Sequence, residues 1–289
     1  MLAGSLLIST VLFLEKFTYF TLLDDSPLGR QGDVSYEVSP GWKGQSTSSL
    51  SPPSVSTITT PTPVNYFEYV EQGNEAIDAF MENLARDDWI LVESDEERKI
   101  WVKRRYDRNR DRTIYLSEAV LDIGHKEFFG IWRGFDENVP SWNPSVRKYV
   151  NVADVNDRCK IQYQVSAPQG GGFITSRDFL SVSCYRLVNG TYYAGYVSTT
   201  WPGYEPTNDY VRAKEYPSGF AFSEAPGEPG KCFMQWLTDV DMSFPAVVPK
   251  SILNTIIPLS LEEYIGHYQE YVKSLRLASG KTSNGDQAS

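Results

Sequence analysis

The feature that most constrains this chain is a long series of period-two segments that runs out into one long amphipathic segment. Between residues 146 and 240 the stretches VRKYVNVAD, KIQYQVSA, DFLSVSCYRLV, TYYAGYVSTT, DYVRAKEY, GFAFSE and CFMQWLTDV alternate in the manner of half-buried strands and are separated by turn residues. Asn189-Gly190 is a two-residue hairpin signal between two of them. Three further strands, WILVE, IWVKRRY and TIYLSEAVL, come earlier, with DRNRD as a charged turn between the second and third. The two groups are joined by residues 125 to 139, which return to helical spacing and are expected to stop at Pro140. From Pro249 to Leu277 the residues Ile252, Ile256, Leu259, Ile265, Tyr268 and Val272 fall on or near one side of a helix. Pro258 lies inside it and is expected to kink it. The sum is an α+β layout in which an antiparallel sheet of about nine strands curls around a terminal helix.

The other end of the chain is organised differently. MLAGSLLISTVLFL is apolar but too short, at about 1.5 Å per residue, to cross a hydrocarbon core of about 30 Å. No Lys or Arg precedes it, so residues 1–23 read as an interfacial or remnant membrane anchor rather than a secretory signal. Residues 24–64 turn to Ser, Thr, Pro and Gly and read as a disordered linker. Folded sequence is predicted to begin at Asn65, which can cap a helix while Glu68 reaches back to its amide; Val70, Ile77, Phe80, Met81 and Leu84 follow at helical spacing. The domain is expected over 65–277, with a disordered tail at 278–289.

Composition removes several classes of function. A formal charge of −10, from 27 basic and 37 acidic residues, lacks the basic footprint of a nucleic-acid binder. Cys159, Cys184 and Cys232 are far apart, odd in number and without CxxC spacing, which argues against a disulfide framework or a zinc site and for a reducing compartment. With His125 and His267 as the only histidines, neither in a nucleophile or metal motif, no metal centre, cofactor site or imidazole-based catalysis is expected. A sheet this large has more concave surface than one helix fills. Pattern alone leaves two readings open, an apolar cavity or a solid core.

Residues 142 to 182 carry a resemblance. WNPSV (Trp142 to Val146), YQVSA (Tyr163 to Ala167), the glycines Gly170, Gly171 and Gly172, and SRDFLSV (Ser176 to Val182), followed by EPTNDYVRA, Gly219-Phe220, Trp236, Asp241 and Pro249, together resemble the START family of lipid-transfer domains, in its sterol-binding branch. The likeness covers roughly residues 65–277. It implies a helix-grip fold that encloses one lipid in a tunnel. The mouth would be formed by the loop Pro168 to Thr175 and the terminal helix, and the glycines would ease its rearrangement. Order of elements is also similar to that of a membrane-anchored endosomal member, which implies the cytoplasmic face of a late-endosomal membrane as location. NYFEYVE, from Asn65, loosely resembles a motif that binds endoplasmic-reticulum contact-site proteins, though it overlaps the capped helix start.

The sterol branch carries a buried acid and arginine in its tunnel. Their positions here are Gln164 and Ser183, both neutral. Loss of one member of a buried pair would cost roughly 3–5 kcal/mol, whereas loss of both can be close to neutral. Gln164 and Ser183 then either hold a ligand hydroxyl, directly or through water, or satisfy each other. Tyr163, Ser198, Ile252 and Ile256 complete the expected ligand set. Arg177 and Asp178, the family's RD pair, are expected to hold the loop to its strand, and Trp142 and Asn143 to serve packing and turn roles. The segment DMSFPAVVP is longer than the family pattern.

The resulting expectation is a non-enzymatic carrier that takes cholesterol or another sterol from a donor membrane and delivers it to an acceptor. Alternatives are a carotenoid or phospholipid carrier, or a module that senses lipid without moving it. Related folds include thioesterase-associated domains, but no nucleophile stands beside a base here.

Overall fold

Asn65 caps the first helix through its side-chain oxygen, which accepts from the Phe67 amide at 3.2 Å. In this computed structural model, which describes residues 65–168, 174–245 and 248–280, Glu68 accepts a hydrogen bond from the Asn65 side-chain amide at 2.8 Å rather than from the backbone. The anchor segment, the linker, Gly170 to Gly172 and the end of the tail lie outside the described residues. Helix α1 spans Tyr66–Leu84. It is followed by β1 (Ile90–Asp95), β2 (Ile100–Asp107), β3 (Arg112–Leu121), α2 (His125–Arg133), α3 (Val139–Trp142), β4 (Val146–Asn156), β5 (Cys159–Ser166), β6 (Arg177–Val188) and β7 (Thr191–Ser198). Two-residue strands β8 (Val211–Arg212) and β9 (Lys214–Glu215) lead to β10 (Ser218–Ala225), β11 (Glu228–Thr238), β12 (Val240–Asp241) and α4 (Lys250–Ala278).

Nine strands form one antiparallel path in the order β1-β2-β3-β11-β10-β7-β6-β5-β4, with β8 added to β6, and β9 pairs separately with β12. The predicted sheet of about nine strands with a closing helix is therefore the observed architecture. Asn189 and Gly190 both take positive φ, 48° and 84°, and join β6 to β7 in the tight hairpin their pairing favours.

The two faces of the sheet are covered by different helices. On one, α1 buries Ile77 and Phe80 against Ile161, Val182, Leu116 and Leu237. Gly195 and Gly219 make this approach close: a Cβ on Gly195 would sit 2.5 Å from the Ile77 amide nitrogen, and one on Gly219 2.6 Å from a Phe80 ring carbon. On the other face, Ile265, Tyr268 and Val272 of α4 pack with Phe128, Phe222 and Met234. Side chains therefore alternate along each strand between the α1 layer and the α4 layer.

Three local expectations are corrected. The helix of 125 to 139 ends at Arg133, and Pro140 sits in the first turn of α3, where a missing N–H costs nothing. DYVRAKEY is not one strand but two short pairings broken at Ala213, because β8 hydrogen-bonds to the start of β6 and β9 to β12. Cys159 and Cys184 are joined in a disulfide, leaving Cys232 free and buried. The pairing was hidden in the sequence because the two residues are brought opposite each other only by the β5–β6 register. Helix α4 runs continuously through Pro258, which is buried on its inner side.

A polar cluster inside an apolar chamber

Between the sheet and α4 lies a chamber of about 600 Å³, within the range of roughly 300–1,000 Å³ that small-molecule sites occupy. Its wall is largely aromatic and aliphatic. Trp236 stacks on Phe220 with centroids 5.3 Å apart, Tyr264 lies 4.9 Å from Trp236, and Trp132, Phe135 and Tyr268 continue the surface. Toward the first turns of α4, Leu253, Ile256 and Ile257 line it together with Ile174, Met242 and Phe244.

Polar groups gather on the strand side of this chamber. Gln162 and Gln164 project from β5, Ser181 from β6, Tyr149 from β4, Tyr196 from β7, Glu215 from β9 and Tyr264 from α4. Gln162 donates from its side-chain amide to the Tyr149 hydroxyl, and Trp236 donates from Nε1 to the Tyr196 hydroxyl at 2.8 Å. The Ser181 hydroxyl donates to a carboxyl oxygen of Glu215. Gln164 from the sheet and Tyr264 from the helix both line this space.

Burial dominates the electrostatics. It pushes the Glu215 carboxyl up to about 7, opposed only by the Ser181 hydrogen bond. It also raises Tyr149, Tyr196 and Tyr264, and the Glu215 charge raises each of them further. The cations that touch the chamber are already engaged. Arg112 donates to Asp239 at 3.0 Å and stacks 3.3 Å over the Tyr216 ring, Arg110 lies 3.7 Å from Asp239, and Lys250 lies 3.4 Å from Asp111.

The residues singled out in the sequence fall in different places. Gln164 and Ile256 line the chamber, whereas Ile252 does not. Gln164 and Ser183 are on the same face of the sheet but do not meet. Gln164 is opposite Phe179 and Ser183 opposite Lys160, so four residues of β6, roughly 13 Å, separate them. Ser183 lines a second, smaller pocket with Lys160. Desolvation lowers the Lys160 amine to about 8, and it donates to the Arg133 carbonyl at 3.1 Å. Tyr163 is on the α1 face and donates to Asp178 at 3.2 Å. The Ser198 hydroxyl accepts from the Glu215 amide at 2.8 Å and so fixes β9.

Arg177 and Asp178 brace the chamber from outside. Arg177 donates from Nε to the Met242 carbonyl at 3.1 Å and from Nη1 to both the carbonyl and the hydroxyl of Thr175. Asp178 accepts from Arg212 at 2.8 Å, holding β8. Trp142 stacks on Tyr271 at 4.3 Å, and Asn143 accepts from the Ser145 amide. Pattern reading missed Glu215, Ser181, Gln162, Tyr149, Tyr196 and Tyr264. A glutamate in a polar strand is ordinarily an outward residue. The one hint is period two: Lys214 is exposed, so its neighbour in an extended segment faces the opposite way.

A curved antiparallel sheet closed by a terminal helix over a mainly apolar chamber defines a helix-grip domain. The chain belongs to the START domain family, which matches residues 74–274. Among curated relatives it is 24% identical over 205 residues to the mitochondrial steroidogenic acute regulatory protein of Salvelinus fontinalis, covering 70% of this chain and 69% of that one. It is 22% identical over 208 residues to the human protein of the same name, covering 71% of each. The fold is similar to that of human StAR-related lipid transfer protein 5, with a TM-score of 0.63 at 16% identity over 73% of this chain and all of the other. It is also similar to that of human STARD10, with a TM-score of 0.55 at 17% identity over 73% and 89% of the two chains.

Proposed function

We propose that this domain carries one neutral lipid, cholesterol or another sterol, in the chamber and moves it between membranes without chemical change. The observation that supports this most is the composition of the chamber: a mainly aromatic- and aliphatic-walled volume of about 600 Å³ in which Gln162, Gln164, Ser181, Tyr149, Tyr196 and Tyr264 supply neutral hydrogen-bonding groups. Burial of apolar area at about 25 cal/mol per Å² supplies the affinity, and a few polar groups fix orientation. A phospholipid fits less well. Its phosphate would need a free cation, and Arg110, Arg112 and Lys250 are all paired while Glu215 adds negative charge.

Gln164 and Ile256 are the members of the sequence-derived ligand set that this reading keeps in the chamber. Transfer would require the mouth beside Ile174, Phe244 and the start of α4 to open. Among the described residues no helix is long and apolar enough to cross a membrane. Attachment to a late-endosomal membrane through residues 1–23, and docking of contact-site proteins at NYFEYVE, belong to the same reading. A carotenoid carrier differs from it in needing no hydrogen-bonding groups, and a lipid sensor in binding without transfer.

The test is transfer of labelled cholesterol by the purified chain between donor and acceptor liposomes, with mass spectrometry of lipid that copurifies. Accelerated transfer with sterol as the copurifying species supports the proposal. Phospholipid as the dominant bound species, or no binding of sterol at all, overturns it.

A further inference from the structure

Among the described residues, Glu215 and Asp241 are the acidic side chains of the chamber that no basic group neutralises; Asp241 is exposed, and Glu215 is the one withdrawn from solvent. One of its oxygens accepts from Ser181; the other has no protein donor among the described residues, and the surface Glu215 still exposes is wall of the chamber. The groups that face it are Tyr149 from β4, Ser181 from β6, Tyr196 from β7 and Tyr264 from α4. None is cationic. Its placement is built rather than incidental. The Glu215 amide is held by Ser198, and β9 is pinned by pairing of Glu215 with Val240 of β12.

A buried carboxyl with a spare oxygen is costly unless something pairs with it. The choice of partner follows from donor and acceptor counting. A ketone or ester can only accept, so it pairs only with the protonated acid. An ammonium can only donate, so it pairs only with the carboxylate. A hydroxyl both donates and accepts, so it pairs with either form. We propose that Glu215, supported by Ser181, is the residue that reads the ligand, and that it selects an apolar lipid carrying a free hydroxyl over the same lipid oxidised to a ketone. This rests on the carrier reading above and deepens it. The reading group lies on β9, at neither Gln164 nor Ser183, where the resemblance puts the family's charged pair.

Discrimination should then depend on pH in a defined direction. With the carboxyl near 7, about nine-tenths is protonated at pH 6 and about one-tenth at pH 8. Ketone affinity should fall about tenfold across that interval while alcohol affinity changes little. The three facing tyrosines, all raised by burial, stay protonated throughout. Lys160 also changes charge near pH 8, but in the second pocket.

The experiment measures binding of cholesterol and of its 3-ketone to the full chain at pH 6 and pH 8, in wild type, Glu215→Gln and Glu215→Leu, with thermal melts to verify folding. Expected are an alcohol-to-ketone preference that rises about tenfold with pH in wild type, a pH-independent preference in Glu215→Gln, and alcohol binding weakened about five- to tenfold in Glu215→Leu. If wild type and both variants bind the two sterols with one unchanged ratio, the role of Glu215 is overturned and the carrier reading stands. A pH-dependent ratio that persists in Glu215→Gln overturns it as well and points to Lys160. If wild type binds neither sterol, both proposals fall together.

Discussion

The guanidinium of Arg177, on the first residue of β6, lies 5.1 Å over the ring of Phe244, on the segment that leads into α4. The same side chain reaches the Met242 carbonyl and Thr175, so one buried cation ties together the strand, the end of the loop before it and the approach to the closing helix.

Replacing Arg177 with Ala should cost about 2–3 kcal/mol, because buried hydrogen bonds to a charged donor are lost. It should also speed escape of bound lipid. Arg177→Lys should not restore either property, since an ammonium cannot serve carbonyls in two directions and cover a ring together. Denaturant melts and the dissociation rate of a fluorescent sterol check this; wild-type values for Arg177→Lys would contradict it.

Gly195→Ala should destabilise by about 1–3 kcal/mol. The new methyl would meet the backbone of α1 at Ile77, 2.5 to 2.7 Å away, and backbone cannot rotate aside. Gly190→Ala probes a different cause. Nothing lies within 4 Å of its would-be Cβ, and the strain there comes from a φ of 84°. Paired urea melts should show the Gly195 change reducing contact of α1 with the sheet, read as faster hydrogen exchange across Tyr66–Leu84, and the Gly190 change leaving that exchange alone.

Stability of the ligand-free protein should carry a signature of Glu215. Its carboxyl is raised from about 4.5 to about 7, so between those values the folded chain keeps a proton that the unfolded chain releases. This contribution therefore weakens the fold as pH rises through that window, by up to about 3 kcal/mol. Comparing wild type with Glu215→Gln at pH 4.5 and pH 7.5 isolates it: the variant should gain relative stability at the higher pH. An equal difference at both would show that the carboxyl is not buried as described.

Reduction of the Cys159–Cys184 bond should lower stability by roughly 2–4 kcal/mol, since it closes a loop with a sequence separation of 25. Melts with and without a reductant, repeated on Cys159→Ala, check this. A reductant effect that survives in the variant would trace to something other than the bond.

Much of the architecture was legible before any coordinates. The period-two runs other than DYVRAKEY, the Asn189-Gly190 turn, the cap at Asn65 and the long amphipathic segment of α4 are local patterns, and they formed close to where they were read. Arg177 and Asp178, expected as braces, contact the Met242 carbonyl and Arg212 respectively.

The chamber and its polar cluster were decided by tertiary structure. Strand periodicity states which residues share a face but not which rows of that face lie opposite the closing helix. Gln164 and Ser183 therefore looked like a pair and ended four residues of β6 apart, in separate hollows. Glu215 entered the chamber because two-residue strands β9 and β12 pair with each other, an interaction between segments 25 residues apart that no local pattern encodes. The same holds for the cysteines, which only the register of β5 on β6 sets side by side. Local sequence determines hydrogen-bonding repeat and capping because those involve neighbours in the chain. The identity of a cavity wall is a sum over long-range pairings, and it exists only once the sheet has closed on its helix.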